Sequence, residues 1–235
     1  MSRGDEHSDG GNLVEAMRHY YLDKMGIQVW LANEQPIVQV EADRAVNIEP
    51  RWQQLEQAVT LCRKCQLHQS RTQTVFGVGN KDASLLVIGE APGCDEDLQG
   101  EPFVGRAGQL LNAMLAAIGL QRQQVYIANI LKCRPPNNRD PRPEEADACS
   151  PWLNQQIALI RPDVILALGR VAAHNLLKTD QSLAELRGRL HAYDGVPLVV
   201  SYHPAYLLRQ PIAKRKSWQD LIKLKSLLSS GPIST

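Results

Sequence analysis

Continuous apolar runs alternate with segments of helical periodicity from about residue 51 onward. Four apolar runs, residues 84–90, 125–130, 163–169 and 197–203, have the length and composition of buried strands. Helical spacing of apolar residues recurs in five segments, 52–65, 105–118, 143–160, 170–177 and 214–228. Strands that are apolar along their whole length are typical of a parallel sheet covered on both faces. The pattern therefore predicts an α/β fold with three layers, α/β/α, around a four-stranded parallel central sheet.

The chain before residue 51 has a different pattern. Its first dozen residues are rich in Gly, Ser and acidic side chains, which is typical of disorder. Residues 13–25 predict one amphipathic helix that ends at a glycine, and residues 27–50 have no sustained period and contain two prolines, which predicts a linker or extended strap. The predicted organisation is an N-terminal helical extension, residues 1–50, followed by one α/β domain, residues 51–235.

Composition excludes few partners but indicates the compartment. The net charge of +1 neither requires nor excludes a polyanion, although six basic residues and one acidic residue between positions 203 and 225 suit phosphate contacts or a solvated helix face. No apolar run approaches the roughly 18 residues of a membrane span, and the N-terminus lacks the apolar core of a signal peptide. We therefore expect a cytoplasmic protein without membrane contact.

The cysteines are spaced as metal ligands. Cys62 and Cys65 are three residues apart, Cys133 and Cys149 are sixteen apart, and a long interval separates the two pairs. Four thiolates arranged in this way suit one metal centre, either tetrahedral zinc or a [4Fe-4S] cluster, with unrelated buried thiols as the alternative. Cys94 lies apart, in a glycine-rich loop, and is expected to pack or to line a pocket.

The glycine-rich loop GEAPGCDEDLQGEPFVGRAG, residues 89–108, joins a predicted strand to a predicted helix. It holds five glycines, two prolines and five carboxylates. Loops at the carboxyl ends of strands are where open α/β sheets bind ligands, and glycine lets the main chain approach a ligand closely. This loop is therefore the predicted centre of a binding site.

Long motifs in this chain resemble those of the family 4 uracil-DNA glycosylases. They are GEAPGCDEDLQGEPFVGRAGQLL, NILKCRPPNNRDPRPEEADAC, LALG and SYHPAYLLR, in the family's order, together with the four cysteines. The resemblance covers about residues 51–228. It implies the uracil-DNA glycosylase fold and activity, and it selects a structural [4Fe-4S] cluster over zinc for the four cysteines.

The resemblance also implies residue roles in a pocket for a flipped-out uracil. Phe103 is expected to stack on the base, and Asn129 to match the N3 and O4 edge of uracil with one acceptor and one donor. His203 is expected to donate a hydrogen bond to uracil O2, which a neutral imidazole can do, and so to stabilise the charge that develops as the glycosidic bond breaks.

Two carboxylates complete the predicted pocket. Glu90 is the candidate that orients water or stabilises the cationic sugar, because Ala91 occupies the position where better-studied uracil glycosylases carry an aspartate. Glu96 resembles the family residue that closes the pocket beside uracil C5, where thymine has a methyl group. Gly89 and Gly93, together with Ala91, are expected to contact the substrate.

The resemblance further implies contacts with single- or double-stranded DNA. A loop that follows His203 is expected to push apolar side chains into the base stack and to meet a phosphate. Its residues are Ala205, Tyr206, Leu207, Leu208 and Arg209.

The N-terminal extension suggests an alternative function. The segment HYYLDKMGIQVWL, residues 19–31, weakly resembles the N-terminal peptide of the psi subunit of the bacterial clamp loader. Residues 13–35 could therefore bind clamp-loader subunits, and the chain could instead be a clamp-loader-associated replication protein that uses a glycosylase fold for interaction. The presence of Phe103, Asn129 and His203 favours the enzyme. The family resemblance suggests a monomer.

Overall fold

Within the part of the chain that the structure describes, six strands, numbered β1 to β6 in chain order, form one sheet in the order β1-β3-β2-β4-β6-β5. The computed structural model describes the backbone of residues 37–229 and the side chains of residues 48–229. The strands are β1 (Val78–Gly79), β2 (Leu85–Gly89), β3 (Tyr126–Asn129), β4 (Val164–Leu168), β5 (Leu190–Tyr193) and β6 (Val196–Ser201). The four central strands β3, β2, β4 and β6 are parallel, and the edge strands β1 and β5 pair antiparallel with their neighbours. The carboxyl ends of the central strands therefore meet at one edge of the sheet.

Helices cover both faces of this sheet. Within the described residues they are α1 (Ile37–Thr60), α2 (Cys94–Gln99), α3 (Arg106–Ala117), α4 (Pro143–Ile160), α5 (Arg170–Leu177), α6 (Leu183–Leu186), α7 (Pro204–Arg209) and α8 (Lys214–Ser229). Short 3₁₀ turns lie at Gln66–Gln69, Arg122–Gln124, Pro136–Asn138 and Pro211–Ala213. None of the helices in this part of the chain combines the length and the apolar character that a membrane span needs.

Alternate residues of each central strand face opposite layers. In β2, Leu86 and Ile88 belong to a buried cluster with side chains of α1, α4 and α5, whereas Leu85 and Val87 belong to a second cluster with side chains of α3 and α8. All four of these β2 side chains are buried, as expected for a strand between two helical layers. The three-layer fold with four central parallel strands is therefore confirmed.

The two edge strands were not predicted from the sequence. β1 has only two residues, which is too short for a periodic pattern. In β5, Leu190 and Ala192 are exposed while His191 and Tyr193 are partly buried, so this strand lacks the continuous apolar run by which the central strands are recognised. Both strands extend the predicted sheet without altering its parallel centre.

The helix predicted for residues 52–65 has different bounds in the structure. It extends from Ile37 to Thr60 and contains Pro50, so the prediction of a linker or strap is wrong for residues 37–50. A proline inside a helix removes one main-chain hydrogen-bond donor, so the sequence pattern predicts a helix that begins only after Pro50. At the other end, Cys62 and Cys65 follow the helix in an irregular segment. The predicted helix of residues 13–25 lies outside the described residues.

The internal contacts of the chain divide it into two units, residues 1–46 and residues 47–235. The sheet, the helices α2 to α8, residues 47–60 of α1 and every predicted site residue belong to the second unit. The proposed role of the extension of residues 1–50 stays a prediction.

Candidate active site

A cavity of about 430 Å³ opens at the carboxyl ends of β2, β3 and β6. This position agrees with the general location of ligand sites in parallel α/β sheets. Its lining includes ten residues that the sequence analysis placed in the substrate or DNA site: Glu90, Ala91, Gly93, Glu96, Phe103, Asn129, His203, Ala205, Tyr206 and Arg209. The structure therefore brings together residues that lie as far apart as 119 positions in the chain, from Glu90 to Arg209.

Gly89 lies beside two of these residues. It pairs in register with Asn129 where β2 and β3 end. A β-carbon at this position would lie 2.6 Å from Cζ of Phe103, and closer still to Oδ1 of Asn129. Only glycine therefore leaves room for both side chains in their observed positions.

Phe103 is held in a strained main-chain conformation. Its φ angle is 56°, in the left-handed region that non-glycine residues rarely adopt. The guanidinium of Arg122 donates hydrogen bonds to the carbonyl oxygens of Pro102 at 2.6 Å and Phe103 at 3.3 Å. A side chain at Gly108 would overlap the Phe103 carbonyl. These contacts fix the Phe103 ring at the pocket, where it stacks on the His203 ring with centroids 5.4 Å apart.

Asn129 offers an unpaired hydrogen-bond acceptor to this pocket. Its side chain is 2 % exposed, and among the described residues no donor reaches its Oδ1 atom. Buried side-chain oxygens are normally hydrogen-bonded, because an unpaired one costs about 1–3 kcal/mol. The arrangement is therefore suited to a ligand that brings its own N–H group.

His203 is neutral and has a defined tautomer. It caps the N-terminus of α7, where its Nδ1 accepts a hydrogen bond from the main-chain N–H of Ala205 at 3.2 Å. Burial, and secondarily the positive charge of Arg209, lowers the pKa of His203 to about 4. Since Nδ1 is the acceptor, the single proton of the neutral ring is on Nε2. This N–H is available to a ligand in the pocket.

Glu90 has a carboxyl group that titrates near neutrality. Burial and, secondarily, the negative charge of Asp140 raise the pKa of Glu90, and Arg170 lowers it; together they bring this pKa to about 7. Arg170 is itself paired with Asp140 at 2.8 Å. A carboxyl group with such a pKa can both hold and release a proton at neutral pH.

Glu96 fastens the glycine-rich loop while it lines the pocket. One carboxylate oxygen accepts hydrogen bonds from the main-chain N–H groups of Val104 at 3.0 Å and Gly105 at 3.4 Å. The other accepts from Gly93 N–H at 3.0 Å. Both oxygens thus hold the ends of the segment that carries Phe103. Sequence analysis did not anticipate this bracing.

The predicted wedge loop after His203 is a helix, α7. Leu207 is 1 % exposed and packs in the core cluster shared with α3 and α8, so this side chain cannot reach DNA without unfolding the helix. Tyr206 is 38 % exposed and lines the pocket, as do Ala205 and Arg209. Leu208 is partly buried and lies outside the pocket lining.

Four further pocket residues come from the loop between Cys133 and Cys149. They are Pro135, Asn138, Arg139 and Asp140, and none of them was predicted as part of the site. The carboxylate of Glu145, near the start of α4, accepts a hydrogen bond from the Arg139 guanidinium at 2.8 Å. The sequence did offer a signal for these residues, because NNRD, residues 137–140, lies within one of the motifs that resemble the family. The pattern of residues alone, however, does not show that this loop folds over Glu90.

The four predicted metal-ligating cysteines, Cys62, Cys65, Cys133 and Cys149, line one internal cavity. Three of their sulfurs accept hydrogen bonds: Cys62 from the Trp152 indole at 3.3 Å, Cys133 from the Arg71 guanidinium at 3.0 Å, and Cys149 from the main-chain N–H of Lys132 at 3.3 Å. Across residues 48–229, no three His, Cys, Asp or Glu side chains are grouped so as to hold a single metal ion. Cys94 is exposed and lies outside both cavities, so the expectation that it packs or lines a pocket is wrong.

The three-layer α/β fold, with a pocket at the carboxyl ends of its parallel strands, is the architecture of a ligand-binding α/β domain, and comparison with known proteins gives its family. Residues 76–222 match the Uracil DNA glycosylase superfamily. The chain is 48% identical to the Type-4 uracil-DNA glycosylase of Archaeoglobus fulgidus over 174 residues, which cover 71% of this chain and 87% of that protein. It is 44% identical to the Type-4 uracil-DNA glycosylase of Saccharolobus solfataricus, covering 75% of this chain and 86% of the relative, and 43% identical to that of Thermotoga maritima, covering 74% and 93%. The chain belongs to the Type-4 uracil-DNA glycosylase family, which confirms the resemblance found in its sequence.

Proposed function

We propose that this protein is a monofunctional uracil-DNA glycosylase that hydrolyses the N-glycosidic bond of deoxyuridine in DNA and so starts base excision repair. The single observation that carries this proposal is the buried, unpaired Oδ1 of Asn129 in a pocket that also holds Phe103 and a neutral His203. Membership of the Type-4 family supports the same reaction.

Asn129 recognises the base. In the observed orientation its Oδ1 accepts the N3–H of uracil, while the amide N–H group donates to O4. Cytosine presents an acceptor at N3 and a donor at its exocyclic amine, so both contacts would be mismatched. A buried mismatch of this kind is a strong discriminator. Phe103 supplies the aromatic surface on which the flipped base stacks.

His203 stabilises the leaving group. As the bond between C1′ and N1 breaks, its electron pair passes to the uracil ring and negative charge develops on O2. The Nε2–H of the neutral imidazole donates a hydrogen bond to that oxygen, which is the role of a preorganised oxyanion donor. The contact from Ala205 N–H to Nδ1 holds the ring in the required tautomer.

Glu90 acts on the sugar and on the attacking water. In its ionised form the carboxylate stabilises the positive charge on the oxocarbenium-like sugar and orients a water molecule. The water oxygen forms the new bond to C1′, Glu90 accepts the proton that this water loses, and the proton finally reaches the uracil anion. Ala91 and Gly93 line the pocket beside Glu90 without supplying a second carboxylate.

Glu96 closes the pocket near the position of uracil C5, where thymine carries its methyl group. Its carboxylate is fixed by three main-chain N–H groups, which suits a rigid wall. The same contacts show a bracing role, so a substitution at Glu96 is expected to affect both the loop and the exclusion of thymine.

The four cysteines hold a [4Fe-4S] cluster in this proposal. The four side chains line one cavity, and the resemblance to the Type-4 family selects the cluster over a zinc ion, whose thiolates would lie about 3.8 Å apart. A cubane cluster spreads its ligand sulfurs further apart, and N–H donors to sulfur, as on Cys62, Cys133 and Cys149, are typical around such clusters. The cluster would fasten α1, the end of β3 and α4 to one another and would supply no chemistry at the uracil pocket.

DNA, single- or double-stranded, is the partner. Arg209 is exposed at the pocket and suits a phosphate, and Tyr206 is the exposed aromatic residue of α7 beside it. The monomeric state and the cytoplasmic location stay predictions. The clamp-loader alternative depends on residues 13–35, which lie outside the described part of the chain, and no observation on residues 37–229 favours it.

Release of free uracil tests the proposal. Two single-stranded oligonucleotides, one with a single dU and one with a single dC at the same position, are incubated with the native protein and with the Asn129→Asp variant. We expect the native protein to release uracil only. The variant, which has acceptors alone, should lose at least a hundredfold of its uracil activity and gain measurable cytosine release. Absence of uracil release by native holoprotein would refute the proposal.

A further inference from the structure

Three side chains form a continuous stack beside the uracil pocket. The ring of Tyr206 stacks on the ring of Tyr202, with centroids 5.0 Å apart and an angle of 24° between the planes. The guanidinium of Arg187 lies over the Tyr202 ring, 4.2 Å from its centroid. The reaction described above uses neither Arg187 nor Tyr202.

This stack is anchored in the core by buried ionic contacts. Arg187 pairs with Asp220 at 2.8 Å and donates a second hydrogen bond to the Lys216 carbonyl oxygen at 2.6 Å. Asp220 is 2 % exposed and also accepts a hydrogen bond from the Ser201 hydroxyl at 2.8 Å. Arg187 is therefore a rigid, charged base for the two aromatic rings.

Only the outer ring of the stack is accessible to DNA. Tyr206 is 38 % exposed and lines the uracil pocket, whereas Tyr202 is partly buried against the core. Tyr206 is also fixed along the main chain, because its N–H donates to the His203 carbonyl at 2.9 Å and its carbonyl accepts from Gln210 at 2.8 Å. A preordered aromatic ring loses little conformational freedom when it binds.

We propose that Tyr206 is a stacking subsite for the nucleobase that neighbours the flipped uridine on the same strand, and that Tyr202 and Arg187 are positioning residues for it. Neighbouring bases of one strand are close enough that, when the uracil occupies the pocket, an adjacent base lies at its rim. Stacking of a base on an exposed aromatic ring is favourable and tolerant of sequence. The guanidinium of Arg187 lies over the Tyr202 ring and strengthens the stack by a cation–π interaction. The inference rests on the proposed function.

The test combines a change in the protein with a change in the substrate, in the manner of a double-mutant cycle. Uracil release is measured on three single-stranded oligonucleotides: an intact one, one with an abasic spacer 5′ of the dU, and one with the spacer 3′ of it. For the native protein we expect one spacer to raise KM about tenfold. The Tyr206→Leu variant should show that increase on the intact oligonucleotide and no further increase with the spacer. The Tyr206→Phe variant keeps the aromatic ring and should therefore keep the spacer-dependent increase in KM.

Two variants test the positioning residues, and one is the control. Tyr202→Leu should raise KM several-fold on the intact oligonucleotide with kcat unchanged, and Tyr202→Phe should restore it. The control is Tyr193→Leu. Tyr193 lies on the edge strand β5 and its hydroxyl donates a hydrogen bond to the side chain of Asn154, so its replacement should change neither KM nor kcat. Partial misfolding of a variant lowers its apparent kcat, whereas the expected effect is on KM, so the two causes are distinguishable.

The inference is overturned if the spacers raise KM for Tyr206→Leu by the same factor as for the native protein, or if neither spacer affects the native protein. In both cases uracil release by the native protein would leave the proposed function intact. Absence of uracil release on every oligonucleotide would overturn both.

Discussion

The ammonium group of Lys132 donates a hydrogen bond to the main-chain carbonyl oxygen of Asn129 at 3.1 Å. Lys132 is 1 % exposed, and its other partner is Oε1 of Gln156 at 2.6 Å. Its own main-chain N–H donates to the sulfur of Cys149. One buried residue therefore joins the cysteine cavity to the strand end that carries the Asn129 amide.

Replacement of this lysine is expected to act through Asn129. The Lys132→Met variant keeps most of the side-chain volume but leaves two acceptors unpaired, at a cost of about 1–3 kcal/mol. We expect kcat/KM for uracil release to fall about tenfold in Lys132→Met relative to the native protein. The double variant Lys132→Met, Asn129→Ala should have nearly the same kcat/KM as Asn129→Ala alone.

Lys64→Met is the matched control for this prediction. Lys64 also lines the cysteine cavity, but its ammonium lies over the Trp152 ring, 4.2 Å from the centroid, and does not contact Asn129. Its replacement should leave kcat/KM unchanged. Fully additive losses in the Lys132→Met, Asn129→Ala double variant would show that Lys132 does not act through Asn129.

The rate of uracil release should depend on the ionisation of Glu90. Because the pKa of Glu90 is about 7 and its carboxylate is the active form, the single-turnover rate should fall about tenfold per pH unit below pH 7. His203, with a pKa of about 4, stays neutral over most of this range and adds no further loss. Glu90→Gln should be slow and lack this dependence.

Asp140→Asn should shift this pH dependence in a known direction. The charge of Asp140 raises the pKa of Glu90, so its removal lowers that pKa and keeps the enzyme active at lower pH. Asp147→Asn removes an exposed carboxylate that pairs with Lys178 at 3.6 Å, outside the pocket, and should leave the profile unchanged. An identical profile for Asp140→Asn and the native protein would contradict this account of Glu90.

Loss of one cysteine ligand should destabilise the pocket. The loop between Cys133 and Cys149 carries Asn138, Arg139 and Asp140 to the uracil site, so its release should affect activity as well as stability. We expect Cys149→Ser to lose bound iron and the visible absorbance of the iron-sulfur chromophore, to melt at a lower temperature and to release little uracil.

Cys94→Ser is the control for that experiment, because Cys94 is exposed and lines neither cavity. It should keep iron, melting temperature and activity. Zinc instead of iron in the native protein, or full iron content in Cys149→Ser, would contradict the proposed cluster.

The sequence predicted the parts of the site that follow directly from strand ends. Asn129 ends an apolar run and His203 follows another, and parallel strands bring their carboxyl ends together. Asp140 was not predicted, because its contact with the pocket depends on how a proline-rich loop folds between two cysteines. Leu207 was predicted to contact DNA, but its side chain is buried in the core. An apolar pattern does not show which residues of a short helix face the core.

Single-turnover release of uracil by His203→Asn tests the central claim most directly. Asparagine can still accept the hydrogen bond from Ala205 N–H and so cap α7, but it has no N–H group at the position of Nε2. The account predicts a native melting temperature and a rate on a dU oligonucleotide about 10²–10³-fold lower than that of the native protein, the loss expected for one oxyanion donor. A rate within a few-fold of the native value would contradict the claim that His203 stabilises the departing uracil.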